Sequence, residues 1–60
     1  MIYRRSPHES VWHFCRNCPL WPGKAFEERT IEPERNALCP QCVSIHEALK
    51  CEAMPPPGAA

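Results

Sequence analysis

No run of this 60-residue sequence is long and apolar enough to cross a bilayer. Arg4 and Arg5 are followed by no apolar stretch of the kind a secretory signal needs. The expected setting is therefore a reducing cytoplasm, where cysteine pairs serve as metal ligands more readily than as disulfides. An excess of charge of either sign is missing too, with seven Lys and Arg against seven Asp and Glu. Nucleic-acid modules are usually marked by clustered positive charge, so a generic phosphate-binding surface is not expected. Large apolar side chains are scarce. The hydrophobic fraction of 43% includes five Cys and several small Ala, which fill little volume. Trp12, Phe14, Leu20, Trp21, Phe26, Ile31, Leu38, Val43, Ile45 and Leu49 remain as candidate core. Ordering the backbone costs about 1–2 kcal/mol per residue, and so few large side chains do not offset it. Chains of this size commonly depend on a staple such as a metal or disulfides.

Residues 1–10 are polar, with a Ser-Pro break, and read as a flexible N-terminal arm. Residues 11–15, VWHFC, alternate roughly and predict a short strand running into the first Cys pair. Pro19, Pro22 and Gly23 then punctuate a turn-rich loop. Residues 25–32 lean towards strand through Thr30 and Ile31, and residues 33–36 form a turn. From Pro40 onward the chain holds good helix formers and no internal breaker, with Pro40 where a first-turn proline is tolerated. Cys42, Ile45 and Leu49 share one face of a helix predicted over about 40–53. MPPPGAA stops it, leaving a disordered Pro-rich tail at 54–60 around a four-cysteine domain at 11–53.

Cysteine supplies the chemistry. Cys15 and Cys18 form one C-x2-C pair and Cys39 and Cys42 a second, separated by roughly twenty residues. A two-residue gap lets two thiolates clasp one ion in a tight knuckle, and a second pair completes a tetrahedron. Cys15, Cys18, Cys39 and Cys42 are therefore the expected ligands of one structural Zn2+. Four protein ligands leave no open position for water, so no enzymatic role is expected. Four thiolates and the ion together add a charge of about −2 to a neutral chain. An odd Cys count also disfavours a secreted disulfide framework.

The fold class expected is small α+β and metal-stabilised. It is a treble-clef-like zinc finger with one or more short β-hairpins and a C-terminal helix. Rubredoxin-like zinc ribbons usually place Gly after each knuckle, whereas Pro19 and Val43 stand there in this chain. A treble clef seats its second ligand pair on the first helical turn, where the helix dipole favours the thiolates of Cys39 and Cys42. Over about residues 12–51 the chain resembles the zinc finger of the DksA/TraR family of bacterial transcription regulators. Cys15, Cys18, Arg29, Pro33, Leu38, Cys39, Cys42 and the run VSIHEALK stand in that finger's places. The gap between the pairs is longer than that family's usual one. The coiled coil with acidic tip residues, by which those regulators enter the RNA polymerase secondary channel, is absent. The resemblance implies a fold, a zinc ion and a link to transcription, but not that activity.

Cys51 falls about 180° from Cys42 on a helix at about 100° per residue, and is expected to be a free thiol pointing away from the metal. His46, one turn beyond Cys42, is expected to pack or to support a thiolate rather than to bind metal. His8 and His13 are weaker ligand candidates, with His13 on the strand face opposite Trp12 and Phe14. The aromatics are read as core, Trp21 excepted, whose Pro-flanked loop makes it a candidate partner anchor. Arg4, Arg5 and Arg16 are read as solvated surface diluted by Glu27, Glu28, Glu32 and Glu34. The expected function is an interaction module that binds a protein partner through Trp21, the helix or the tail. Nucleic-acid binding and a rubredoxin-like iron electron carrier are the alternatives.

Overall fold

Tyr3 to Arg5 alternate an aromatic side chain and two long cations, a pattern suited to a strand with one face on a core. In the computed structural model, which describes residues 1–55, this segment is β1 (Tyr3–Arg5). It pairs antiparallel with β2 (Glu27–Arg29). The register sets Arg4 against Glu28 and Arg5 against Glu27. Arg4 Nε donates to Glu28 Oε1 at 2.9 Å, and Arg5 Nη2 to both oxygens of Glu27, each at 2.9 Å. Opposite charges directly across a ladder contribute about 0.2–1 kcal/mol each. Because the strands come from distant parts of the chain, the sheet is a ladder rather than the expected hairpin. The expected flexible arm is also corrected. Ile2 and Tyr3 are buried, and the Ile2 amide donates to the Met54 carbonyl at 3.1 Å.

Residues 11–15 form no continuous strand but make two single bridges, which together hold the site. His13 and Arg4 exchange both backbone hydrogen bonds, at 2.7 and 2.9 Å. On its other edge Trp12 bridges in parallel to Leu38, donating to the Ala37 carbonyl at 2.7 Å and accepting from the Cys39 amide at 2.8 Å. Both bridges lie within one turn of a Cys pair, so they draw the two knuckles together. Alternation sends Arg5 and Arg29 to the Tyr3 face of the sheet, where both guanidinium groups stack on the Trp12 ring, at 4.7 and 4.8 Å. Arg4, on the opposite face, lies over Phe26 at 4.0 Å and Trp21 at 4.8 Å. Trp21 is accordingly half-buried beneath a cation rather than displayed on a loop.

A 3-10 turn over Arg35–Ala37 precedes α1 (Pro40–Glu47). Cys39 is its N-cap and Pro40 occupies the first turn, as the residue types predict. The helix stops well before residue 53. Lys50 N–H returns to the Ile45 carbonyl and Leu49 N–H to the His46 carbonyl, the pairing of a Schellman cap. Leu49 holds the left-handed position at φ 61°, which favours glycine, and is 93% exposed. It leaves the expected core together with Leu20 and Ile31, also exposed. Leu49→Gly is expected to stabilise the fold by about 0.5–1 kcal/mol, because relief of left-handed strain exceeds the added freedom of the unfolded chain. Thermal denaturation checks this, and a lowered midpoint contradicts it.

The buried centre is small. Tyr3, Trp12 and Phe14 pack with Cys15, Cys18, Cys39 and Cys42, while Leu38, Val43 and Ile45 are half-buried against them. Sulfur thus lies at the middle of the fold. The described residues make a small α+β unit with a two-stranded antiparallel sheet and one helix. The predicted Pro-rich tail lies outside the described residues from 56 onward. Among the described residues, no helix is long and apolar enough to cross a membrane.

Candidate metal centre

Three of the expected ligands converge. Cys39 caps α1 and Cys42 lies in its first turn, with the Val43 amide donating to the Cys39 carbonyl at 3.0 Å. Cys18 arrives on the first knuckle, closed by its own amide on the Cys15 carbonyl at 3.0 Å. Cys18 Sγ and Cys39 Sγ stand 4.0 Å apart. The fourth corner belongs to His13, whose Nδ1 is 3.8 Å from Cys18 Sγ and 3.9 Å from Cys42 Sγ. All four donor atoms lie within 4.8 Å of one another, each on a buried residue, and the cluster could hold one metal ion.

Cys15, expected as the fourth ligand, is joined to Cys51 in a disulfide whose Cα atoms lie 5.1 Å apart. This also corrects the reading of Cys51 as a free thiol facing away from the centre. That reading projected residue 51 along a helix, but α1 ends at Glu47 and the chain then turns back. Asn17 clamps the returning segment. Its Nδ2 donates to the Lys50 carbonyl at 2.7 Å and its Oδ1 accepts from the Glu52 amide at 3.0 Å. The Arg16 amide adds a bond to the Glu52 carbonyl at 2.9 Å. These contacts bracket residue 51 and set it beside the first knuckle.

His13 is fully buried and its second nitrogen is also engaged. Nε2 meets Glu9 Oε1 at 2.8 Å, and the other Glu9 oxygen accepts from the Ser6 amide at 3.1 Å. Burial acts to raise the Glu9 carboxyl, but the hydrogen bonds from His13 and Ser6 outweigh it and hold the group below its ordinary range. An ionised Glu9 fixes the tautomer with the proton on Nε2, leaving the Nδ1 lone pair facing the three sulfurs. Carboxylates play this orienting part behind metal-bound imidazoles. In protein carrying the Cys15–Cys51 disulfide, Glu9→Ala is expected to weaken metal affinity about 10–100-fold. Glu9→Gln, which keeps an acceptor oxygen, is expected to lose less. Competition with a chromogenic chelator measures both, and equal affinity in all three proteins contradicts the assignment.

Burial pushes the Cys42 thiol up to about 12, with the Cys18 hydrogen bond and Cys39 charge in the same direction. Backbone hydrogen bonds from Cys15 and Phe14 act in the opposite sense, since they favour the thiolate. A cation held by this cluster would favour the ionised sulfur and release a proton as it binds.

His46 lies outside the cluster and packs edge-on against Phe14, ring centres 5.9 Å apart. His8 is exposed and takes no part. His13 is the residue that spacing rules passed over. Alternation set it opposite Trp12 and Phe14, and that face became an inner one only because the segment is bridged on both edges. Comparison with known proteins finds no matching family model, curated protein or solved structure.

Proposed function

We propose that this chain is a structural-zinc module of the treble-clef type, built to bind a protein partner, with a place in transcription as the DksA/TraR resemblance implies. The observation that supports it best is the convergence of His13, Cys18, Cys39 and Cys42 at the centre of the fold. Four buried donors fill a tetrahedron and leave no position for a substrate, which suits a scaffold rather than a catalyst. Thiolates with one imidazole, the donor set that stands together in this structure, suit zinc. Seating Cys39 and Cys42 at the start of α1 follows the treble-clef pattern.

Protein binding is favoured over nucleic-acid binding by the surface. Arg4 and Arg5 are held by Glu28 and Glu27 and stacked on aromatic rings, which leaves them poor phosphate ligands. Leu20 and Leu49 are exposed instead, and Ile45 of α1 is half-buried. The test begins with elemental analysis of the purified chain from cells supplied with both metals. One zinc per chain is expected, and a red, iron-containing preparation overturns the zinc assignment. Titrating tryptophan fluorescence with single- and double-stranded oligonucleotides at low and moderate salt then separates the partner classes. Salt-sensitive quenching overturns the protein-binding reading.

A further inference from the structure

A fifth candidate donor lies on the knuckle beside a centre that needs four. His13, Cys18, Cys39 and Cys42 stand together in the structure. Cys15, fully buried on the same knuckle as Cys18, has the spacing by which C-x2-C pairs clasp one ion. Its own Sγ is 3.5 Å from the Cys42 carbonyl. The surplus sulfur has a dedicated partner, because the Asn17 clamp holds the 50–52 segment beside it and the two are joined as a disulfide.

We propose that Cys15 and Cys51 form a thiol–disulfide site that chooses the fourth ligand of the metal centre. When the pair is reduced, Cys15 takes the corner and the set is Cys15, Cys18, Cys39 and Cys42. When it is oxidised, His13 takes the corner through Nδ1. The inference rests on the metal-centre reading above.

The co-substrate is a low-molecular-weight disulfide of the glutathione class. Cys51, the more exposed of the two sulfurs, attacks it as thiolate after losing a proton, forming a mixed disulfide and expelling one thiolate. The Cys15 sulfur then attacks Cys51 Sγ, closes the protein disulfide and expels the second thiolate. Two electrons pass from the protein sulfurs to the small disulfide. The neutral imidazole of His13 replaces a thiolate, so the centre loses one negative charge without losing its ion. In the reverse direction a small thiolate enters at Cys51 and releases Cys15 inside the fold, and a second small thiolate then frees Cys51 and regenerates the small disulfide. The surface that changes is the 50–52 segment, directly after α1, which ties the state of the centre to the face offered to a partner.

The test loads the full-length chain with Co2+ and compares a phosphine-reduced sample with one equilibrated against oxidised glutathione. Thiolate-to-cobalt charge transfer scales with the number of Co–S bonds, so going from four sulfurs to three lowers it by about a quarter. The expected result is that fall, one cobalt per chain in both samples, and two fewer free thiols after oxidation. Cys51→Ser is expected to keep the four-sulfur spectrum under both conditions. His13→Asn is expected to bind cobalt when reduced and to release it when oxidised. Equal charge-transfer intensity in both wild-type samples, or release of cobalt on oxidation, overturns the exchange while leaving a metal centre in place. Failure to bind cobalt in either state overturns the metal-centre reading along with it.

Discussion

Removing the metal is expected to abolish the native fold in both redox states. A structural zinc site of sulfur and imidazole ligands contributes on the order of 10–16 kcal/mol of apparent binding energy. A whole domain is stable by only about 5–15 kcal/mol. Little else here is large enough to compensate. Among the described residues the largest fully buried side chains are His13, Cys15, Cys39 and Cys42, so burial is deepest at and beside the centre itself. Without a cation, Cys42 is a buried protonated thiol among sulfurs that have lost their common partner. The Cys15–Cys51 disulfide closes a sequence separation of 36 residues, for which loop-closure entropy gives about 4 kcal/mol. That is less than half of the metal's contribution, so the disulfide does not rescue the fold alone. Adding a strong chelator is therefore expected to collapse amide dispersion in a proton–nitrogen correlation spectrum, with or without reductant. One equivalent of Zn2+ is expected to restore it. Dispersion that survives chelation contradicts the central role given to the metal.

Trp12→Ala is expected to have the largest effect of any single apolar truncation. The side chain is 7% exposed and packs on Tyr3, Phe14 and the cysteine cluster. Truncating a buried aromatic costs about 3–5 kcal/mol. Two stacked guanidinium groups lose their ring as well, and cation–π contacts are worth about 0.5–1 kcal/mol each when partly exposed. Arg5 and Arg29 come from the two strands, so the ring also fastens the sheet to the segment that carries His13. At about 4–8 °C per kcal/mol for a chain of this size, the zinc-loaded variant is expected to melt more than about 10 °C below wild type. Trp12→Phe, which keeps an aromatic face, is expected to lose less. Equal melting of Trp12→Ala and wild type removes the role assigned to the ring.

How far the sequence could be read depended on how far apart the interacting residues lie. The α+β class, the start of the helix at Pro40 and the convergence of Cys18, Cys39 and Cys42 were all legible. The first two rest on local pattern, and the third on two C-x2-C knuckles that one ion can draw together across about twenty residues. The helix end was misplaced because no Gly marks it, and Leu49 takes the left-handed position through backbone bonds that its side chain does not announce. Tyr3 to Arg5 were read as a loose arm because their partner strand lies beyond residue 26 and three residues carry little pattern. Polar composition hid the fact that both arginines have aromatic rings to cover and carboxylates to meet.

The sequence by itself determined two C-x2-C knuckles and the helix start that carries the second, since each is a local instruction set by bond lengths and backbone torsions. Only the tertiary structure decided that His13 faces those sulfurs and that Cys15 and Cys51 join. Those outcomes depend on β1 pairing with residue 13 and on Asn17 drawing the chain back after α1. Contacts between residues so distant along the chain follow from the packing of the whole molecule, and no spacing rule encodes them.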